Sequence, residues 1–202
     1  MVIGAVNKQA KVQLLHARRR LALCLLCLLP ACSSMGAPKF TGVPVEVINT
    51  VDGINIVSSS FNGHPTGKSH GGGQSCCIPI PAQWQPGLTA TIAWTKDPSP
   101  DVNPGGVKAP RWNPNGTVTP EWHAWMATHE ANYTQHEVTM PLPKYGETCA
   151  MMMVFLPCDE VRLLIDCDEK RRVLQDLRYL PSREWHREVI RKLGGKQQCQ
   201  PN

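Results

Sequence analysis

The 202 residues suffice for one ordinary domain with a tail, and 18 Pro and 16 Gly against only 18% charged residues suit an all-β or loop-rich fold. The formal charge of +5 gives no argument for a nucleic-acid partner. Five of the 21 Lys+Arg and none of the 16 Asp+Glu fall in residues 1–31, so the remainder is balanced at 16 against 16.

Residues 1–31 read as an export signal. Lys8, Lys11, Arg18, Arg19 and Arg20 precede the unbroken apolar run LALCLLCLL, Leu21 to Leu29. A basic segment, an apolar run of this length and small residues after it form a secretory signal. The run is too short for a spanning helix, which needs about 20 apolar residues. Leu29-Pro30-Ala31-Cys32 resembles a bacterial lipobox, with Cys32 as the acylated first residue of the mature chain. The alternative is ordinary cleavage near Ala37, with Cys32 removed. Ser33 after the Cys resembles outer-membrane sorting, so the expected location is the outer membrane, lipid-anchored and facing the periplasm. Cys24 and Cys27 leave with the signal. Six cysteines remain, Cys76, Cys77, Cys149, Cys158, Cys167 and Cys199, and an even number in an exported chain predicts disulfides before metal or catalysis.

Residues 32–42 form a tether, 43–167 a β-domain interrupted by an insertion over 97–134, and 168–202 a C-terminal tail. VPVEVIN (43–49) alternates and is β-branched, a strand, with INIVSSSF (54–61) as its expected hairpin partner across Asp52-Gly53. GHPTGKSHGGGQS follows as a glycine-rich loop. CIPIP (77–81) places prolines at alternate positions, which confines it to a sheet edge. Neighbours in a strand face opposite sides, so Cys76 and Cys77 are not expected to bond to each other. LTATIAW (88–94) alternates clearly. Within the insertion, Thr119 and Pro120 open a short helix that puts Trp122, Trp125, Met126 and His129 on one face.

HEVTMPLPKY (136–145) returns to strand. CAMMMVFL (149–156) and VRLLIDC (161–167) then form a hairpin across Pro157-Cys158-Asp159. With the turn centred on Cys158, Cys149 and Cys167 sit opposite each other within disulfide reach. In the tail, charges crowd residues 168–179. Ser182 then caps an amphipathic helix carrying Trp185, Val189, Ile190 and Leu193 on one face. Gly194 ends it, and Cys199 lies in a loose end. About seven short strands, a loop helix and a C-terminal helix, with no βαβ alternation, give a mainly β fold: an antiparallel β-sandwich.

Three partial motifs fail. Gly67-Lys68-Ser69 ends like a phosphate loop, but the required first glycine position is Asn62 and no helix follows. Gly73-Gln74-Ser75-Cys76-Cys77 lacks the closing glycine of a serine elbow. The histidines show no H-E-x-x-H and the cysteines no C-x-x-C. No catalytic set, metal site or cofactor is expected.

The ordered set GGGQSCCIPIPAQWQPGLTATIAWTKDP, VTMPLPKYGE and MVFLPCDEVRLLI resembles a family of bacterial lipoproteins known as a domain of unknown function. The resemblance covers about residues 43–166. Cys158, the long insertion and the tail depart from the family pattern. The resemblance implies a candidate immunity protein for a type VI secretion lipase effector, held at the membrane by its lipid and occluding the toxin with its loops. Loops 62–76 and 97–134 are the expected contacts, with Lys68, His70, Gln74, Trp112, Trp122 and Trp125 as candidate partner-binding residues. The alternative reading is a structural or assembly lipoprotein of the envelope with no toxin partner.

Overall fold

The computed structural model describes residues 39–69 and 74–199. Residues 1–31, expected to form an export signal, lie outside the described residues, as do Cys32 and His70.

Two four-stranded sheets pack face to face. The first has the order β10-β9-β1-β4, from β1 (Phe40–Asn49), β4 (Ser75–Pro81), β9 (Thr148–Leu156) and β10 (Glu160–Asp166). The second has the order β3-β2-β5-β8, from β2 (Asn55–Phe61), β3 (His64–Gly67), β5 (Thr89–Asp97) and β8 (Thr134–Pro141). A small ribbon, β6 (Val102–Asn103) with β7 (Val107–Lys108), lies in the insertion. The fold is therefore mainly β, with antiparallel pairing throughout except between β1 and β9, which run parallel.

The inward faces of both sheets make one core, including Val43, Val45, Ile56, Phe61, Ile78, Ile80, Ile92, Trp94, Met151, Met153 and Ile165. Strand β9 is buried on both faces. Met151, Met153 and Phe155 enter the core between the sheets, whereas Met152, Val154 and Leu156 form a second core under the C-terminal helices. That double burial is why MMMVFL is continuously apolar rather than alternating. The helices are α1 (Pro120–Glu130), α2 (Cys167–Leu174) and α3 (Ser182–Lys192). Val173, Leu177, Val189 and Ile190 press α2, α3 and the segment between them onto the outer face of the first sheet.

Several expectations are corrected. β1 and β2 are not a hairpin: the chain crosses from one sheet to the other at Thr50–Ile54. The Asn49 side chain stabilises that crossing by donating to the carbonyls of Val51 (3.1 Å) and Ile54 (2.8 Å). The real hairpin is β2–β3 inside the segment read as a loop. Asn62 and Gly63, at φ 48° and 78°, make its two-residue turn, a signal that Asn-Gly carries plainly. Cys167, expected to end the second hairpin strand, and residues 168–174, expected only to be charged, form α2. Asp166 caps it by accepting from the amides of Asp168 and Glu169. Ser182 is the first residue of α3 rather than its cap, which is Pro181. Gly194, at φ 67°, follows the helix.

Cys149 and Cys167 are bonded, with Cα atoms 5.1 Å apart. The hairpin register runs as expected from Glu160↔Leu156 to Leu164↔Met152, then shifts so that Asp166 faces Thr148. Cys199 is not in a free end: it is bonded to Cys158, Cα to Cα 5.3 Å. Cys76 and Cys77 are bonded to each other, contrary to the strand-alternation argument. β4 lies at the sheet edge, and its register explains the exception. Val43 faces Ile78 but Val45 faces Ser75, so both cysteines lie opposite the single residue Pro44. A bulge suspends strict alternation at that point.

Candidate functional site

The sandwich has two poles, and the loops of interest gather at one of them. Asn55 pairs with Asp97 and Ile56 with Lys96, at the beginning of β2 and the end of β5. The insertion leaves after Asp97 and returns at Thr134, which pairs with Lys96. The amide of Ser69 donates to the Ile56 carbonyl at 3.1 Å, which brings the loop after β3 to the same pole. The β9–β10 turn is there too: Lys96 Nζ donates to Asp159 Oδ1 at 2.6 Å. The chain enters the sandwich at the other pole, where Phe40 pairs with Pro81.

The insertion is an ordered structure with its own small polar core. Thr119 Oγ1 accepts from the Trp122 amide at 3.1 Å and Pro120 takes the first helical position, so α1 starts where the sequence says it must. Its inward face carries His129, 3% exposed, and Trp125, 8% exposed. His129 Nε2 lies 3.2 Å from Asp97 Oδ2, and Nδ1 lies 2.9 Å from Asn103 Oδ1. Asn103 Nδ2 donates to the Trp125 carbonyl at 2.9 Å, which turns its oxygen toward the imidazole. Both ring nitrogens therefore face acceptors. Asp97 Oδ1 accepts from the Ser99 amide at 3.0 Å. The Trp125 ring stacks on His129 at 4.4 Å, and Trp125 Nε1 donates to the Val107 carbonyl at 3.0 Å, fastening the β6–β7 ribbon. Tyr133 meets the imidazole edge-on at 5.5 Å. Burial, then the Asp97 carboxylate and Glu130, raise the Tyr133 hydroxyl above the usual phenol range.

Outside this clamp the insertion presents an aromatic surface. Trp112 is 57% exposed and Val107 56%. Trp122, half-buried, meets Trp112 edge-on at 6.1 Å and His123 at 5.7 Å. Lys108, Arg111 and His123 are exposed around them. The loop bearing Trp112 is closed by a turn in which Asn113 donates its amide to the Thr117 carbonyl at 2.9 Å. Gly116 adopts φ 80° there, a conformation that favours glycine.

Of the six residues expected to bind a partner, Trp112 and Trp122 are brought together on this surface. Lys68 and Gln74 are exposed on either side of the undescribed segment containing His70. Trp125 is corrected: it is buried and holds the insertion together. The sequence reading placed Trp125 and His129 on one helix face but missed their partners. Asp97 and Asn103 lie far from His129 in sequence, and neither belongs to a recognisable spacing. Among the described residues, no group of three or more His, Cys, Asp or Glu is arranged to hold a metal ion.

Fold and site together define a two-sheet sandwich that carries an ordered, aromatic-tipped loop platform at one pole. Residues 47–163 match a family described as "Protein of unknown function (DUF3304)", and the chain belongs to that family. The match runs from within β1 to within β10 and includes the insertion; α2 and α3 fall outside it. No curated protein and no solved structure matches the chain.

Proposed function

We propose that this protein is a lipid-anchored, periplasm-facing binding protein that neutralises a secreted antibacterial lipase, as an immunity protein. The observation that carries the binding reading is Trp112, exposed on an insertion whose backbone is held by the buried Asp97–His129–Asn103 contacts. A large aromatic ring held out on a pre-ordered loop loses little conformational freedom on docking, the usual property of an interface anchor. Within the sandwich, β1 begins at Phe40, at the pole opposite the loops. Tethering raises the local concentration of inhibitor at the leaflet a lipase attacks. The export signal, the lipobox and the resemblance to candidate immunity lipoproteins supply the cellular setting.

The test is survival in competition. A strain lacking the gene is challenged by sister cells that deliver their effectors, with wild-type or Trp112→Ala protein restored. Loss of survival in the deletion, rescue by wild type and failure of Trp112→Ala are expected. Unchanged survival of the deletion strain refutes the immunity function, and full rescue by Trp112→Ala refutes the role of the aromatic surface.

A further inference from the structure

The Cys76–Cys77 pair differs from the other two disulfides in that neither of its cysteines is shielded. Both of its cysteines are exposed, as is Ser75 before them. It lies on an edge strand, and its two residues share the single opposite position Pro44. Proline has no amide hydrogen, so Pro44 donates no ladder bond to either cysteine. Ring opening therefore removes no hydrogen bond donated by that neighbour. Ile78 and Ile80, which anchor β4 in the core at 3% and 0% exposure, follow the pair in sequence. Each of the other bridges instead joins one exposed cysteine, Cys149 or Cys199, to a shielded one: Cys167 is 8% exposed at the start of α2, and Cys158 is half-buried in the β9–β10 turn. Those two bonds tie α2 and the C-terminal end to the first sheet.

We infer that Cys76–Cys77 is a thiol–disulfide exchange site, which external dithiols reduce while the other two bridges stay closed. The thiolate of a dithiol attacks one sulfur, forms a mixed disulfide and releases the neighbouring cysteine as thiolate. The second thiol of the reductant then attacks the mixed disulfide, freeing the first cysteine and leaving as a cyclic disulfide. Two electrons pass to the protein and the released thiolates take up two protons. Access of the nucleophile to sulfur controls such reactions. The product is a pair of adjacent thiols on the outside of the sandwich, a chelating arrangement for a trivalent arsenical or a similarly thiophilic cation. Gly42 packs against this place: a Cβ there would lie 3.3 Å from Cys77 Cβ.

The test uses the folded, oxidised protein without denaturant. Samples equilibrated with increasing dithiothreitol are trapped with iodoacetamide and mapped by peptide mass. Cys76 and Cys77 should be alkylated at a dithiothreitol concentration about tenfold below that needed for the other four cysteines. The partly reduced protein should then bind one equivalent of phenylarsine oxide, and a Cys76→Ser variant none. Labelling of Cys149, Cys167, Cys158 or Cys199 together with or before the pair overturns the inference. So does a pair found as free thiols before any reductant is added. Neither result bears on the immunity reading, whose test is survival.

Discussion

His129→Ala removes the centre of the clamp beneath the aromatic platform. The substitution leaves the Asp97 carboxylate, 5% exposed, without its imidazole partner. Asp97 keeps the Ser99 amide on its other oxygen, so the loss is that of one hydrogen bond to a buried carboxylate, about 2–3 kcal/mol, and the orphaned Asn103 oxygen adds about 1 kcal/mol. The sandwich core does not use these groups, so the cost falls on the insertion, which opens locally before the sheets melt. At 1.4 kcal/mol per decade, a loss of about 3–4 kcal/mol raises the open population of residues 98–133 by about a hundredfold to a thousandfold. Native-state hydrogen exchange at the amides of α1, together with proteolysis inside the insertion, reads this directly. Adding Asp97→Asn to His129→Ala should recover part of the loss, because it removes the stranded charge. Exchange in α1 within about threefold of wild type, a change under ~1 kcal/mol, would refute the clamp.

Trp112→Ala, at an exposed position, should leave stability within about 0.5 kcal/mol in a denaturant melt; a larger loss would mean that the ring is structural rather than a contact. Replacing Cys158 and Cys199 with serine releases a closure spanning 41 residues, for which the chain-entropy estimate is about 4 kcal/mol. Proteolysis should then clip the C-terminal end first, and unchanged protection would show that the bridge constrains little. Backbone hydrogen bonds from Gly146, Glu169 and Asp168 hold the Asp166 carboxyl below the usual carboxylate range. Its folded pKa lies below its unfolded one, so its stabilisation is present above the unfolded value and disappears as pH falls through the folded value. Asp166→Ala should cost about 1 kcal/mol at neutral pH, with a difference from wild type that shrinks on acidification; a constant difference would contradict the carboxylate's role. Cys32→Ser should move the protein from the membrane to the soluble fraction, and unchanged fractionation would exclude lipidation at that residue.

Local patterns carried much of the strand and helix reading. The alternation of 43–49 and 88–94 reports inward faces, and the prolines of 77–81 report an edge because they lack a donor. Thr119-Pro120 reports the start of α1, and the hairpin turn at Cys158 carries Cys149 and Cys167 close enough to bond even though the register shifts before reaching them. Each of these depends on neighbours a few residues apart, or on one tight turn. The Asn62-Gly63 hairpin and the Asp166 cap were equally local and were legible, though surrounding glycines and charges obscured them. Of the candidate contacts, the exposure of Trp112 and the burial of Trp125 could not be told apart, since both are tryptophans in one insertion.

The sequence by itself determined the elements, the edge position of β4 and the apolar faces, because period and turn chemistry are properties of short stretches. Tertiary structure decided which sheet each strand joined, the parallel meeting of β1 with β9, and the Cys158–Cys199 bond. It also decided the pairing of Cys76 with Cys77, at a bulge opposite Pro44 on another strand. The same holds for the clamp of His129 by Asp97 and Asn103. Each depends on residues brought together from distant parts of the chain, where packing of a shared core, not local preference, selects the partner.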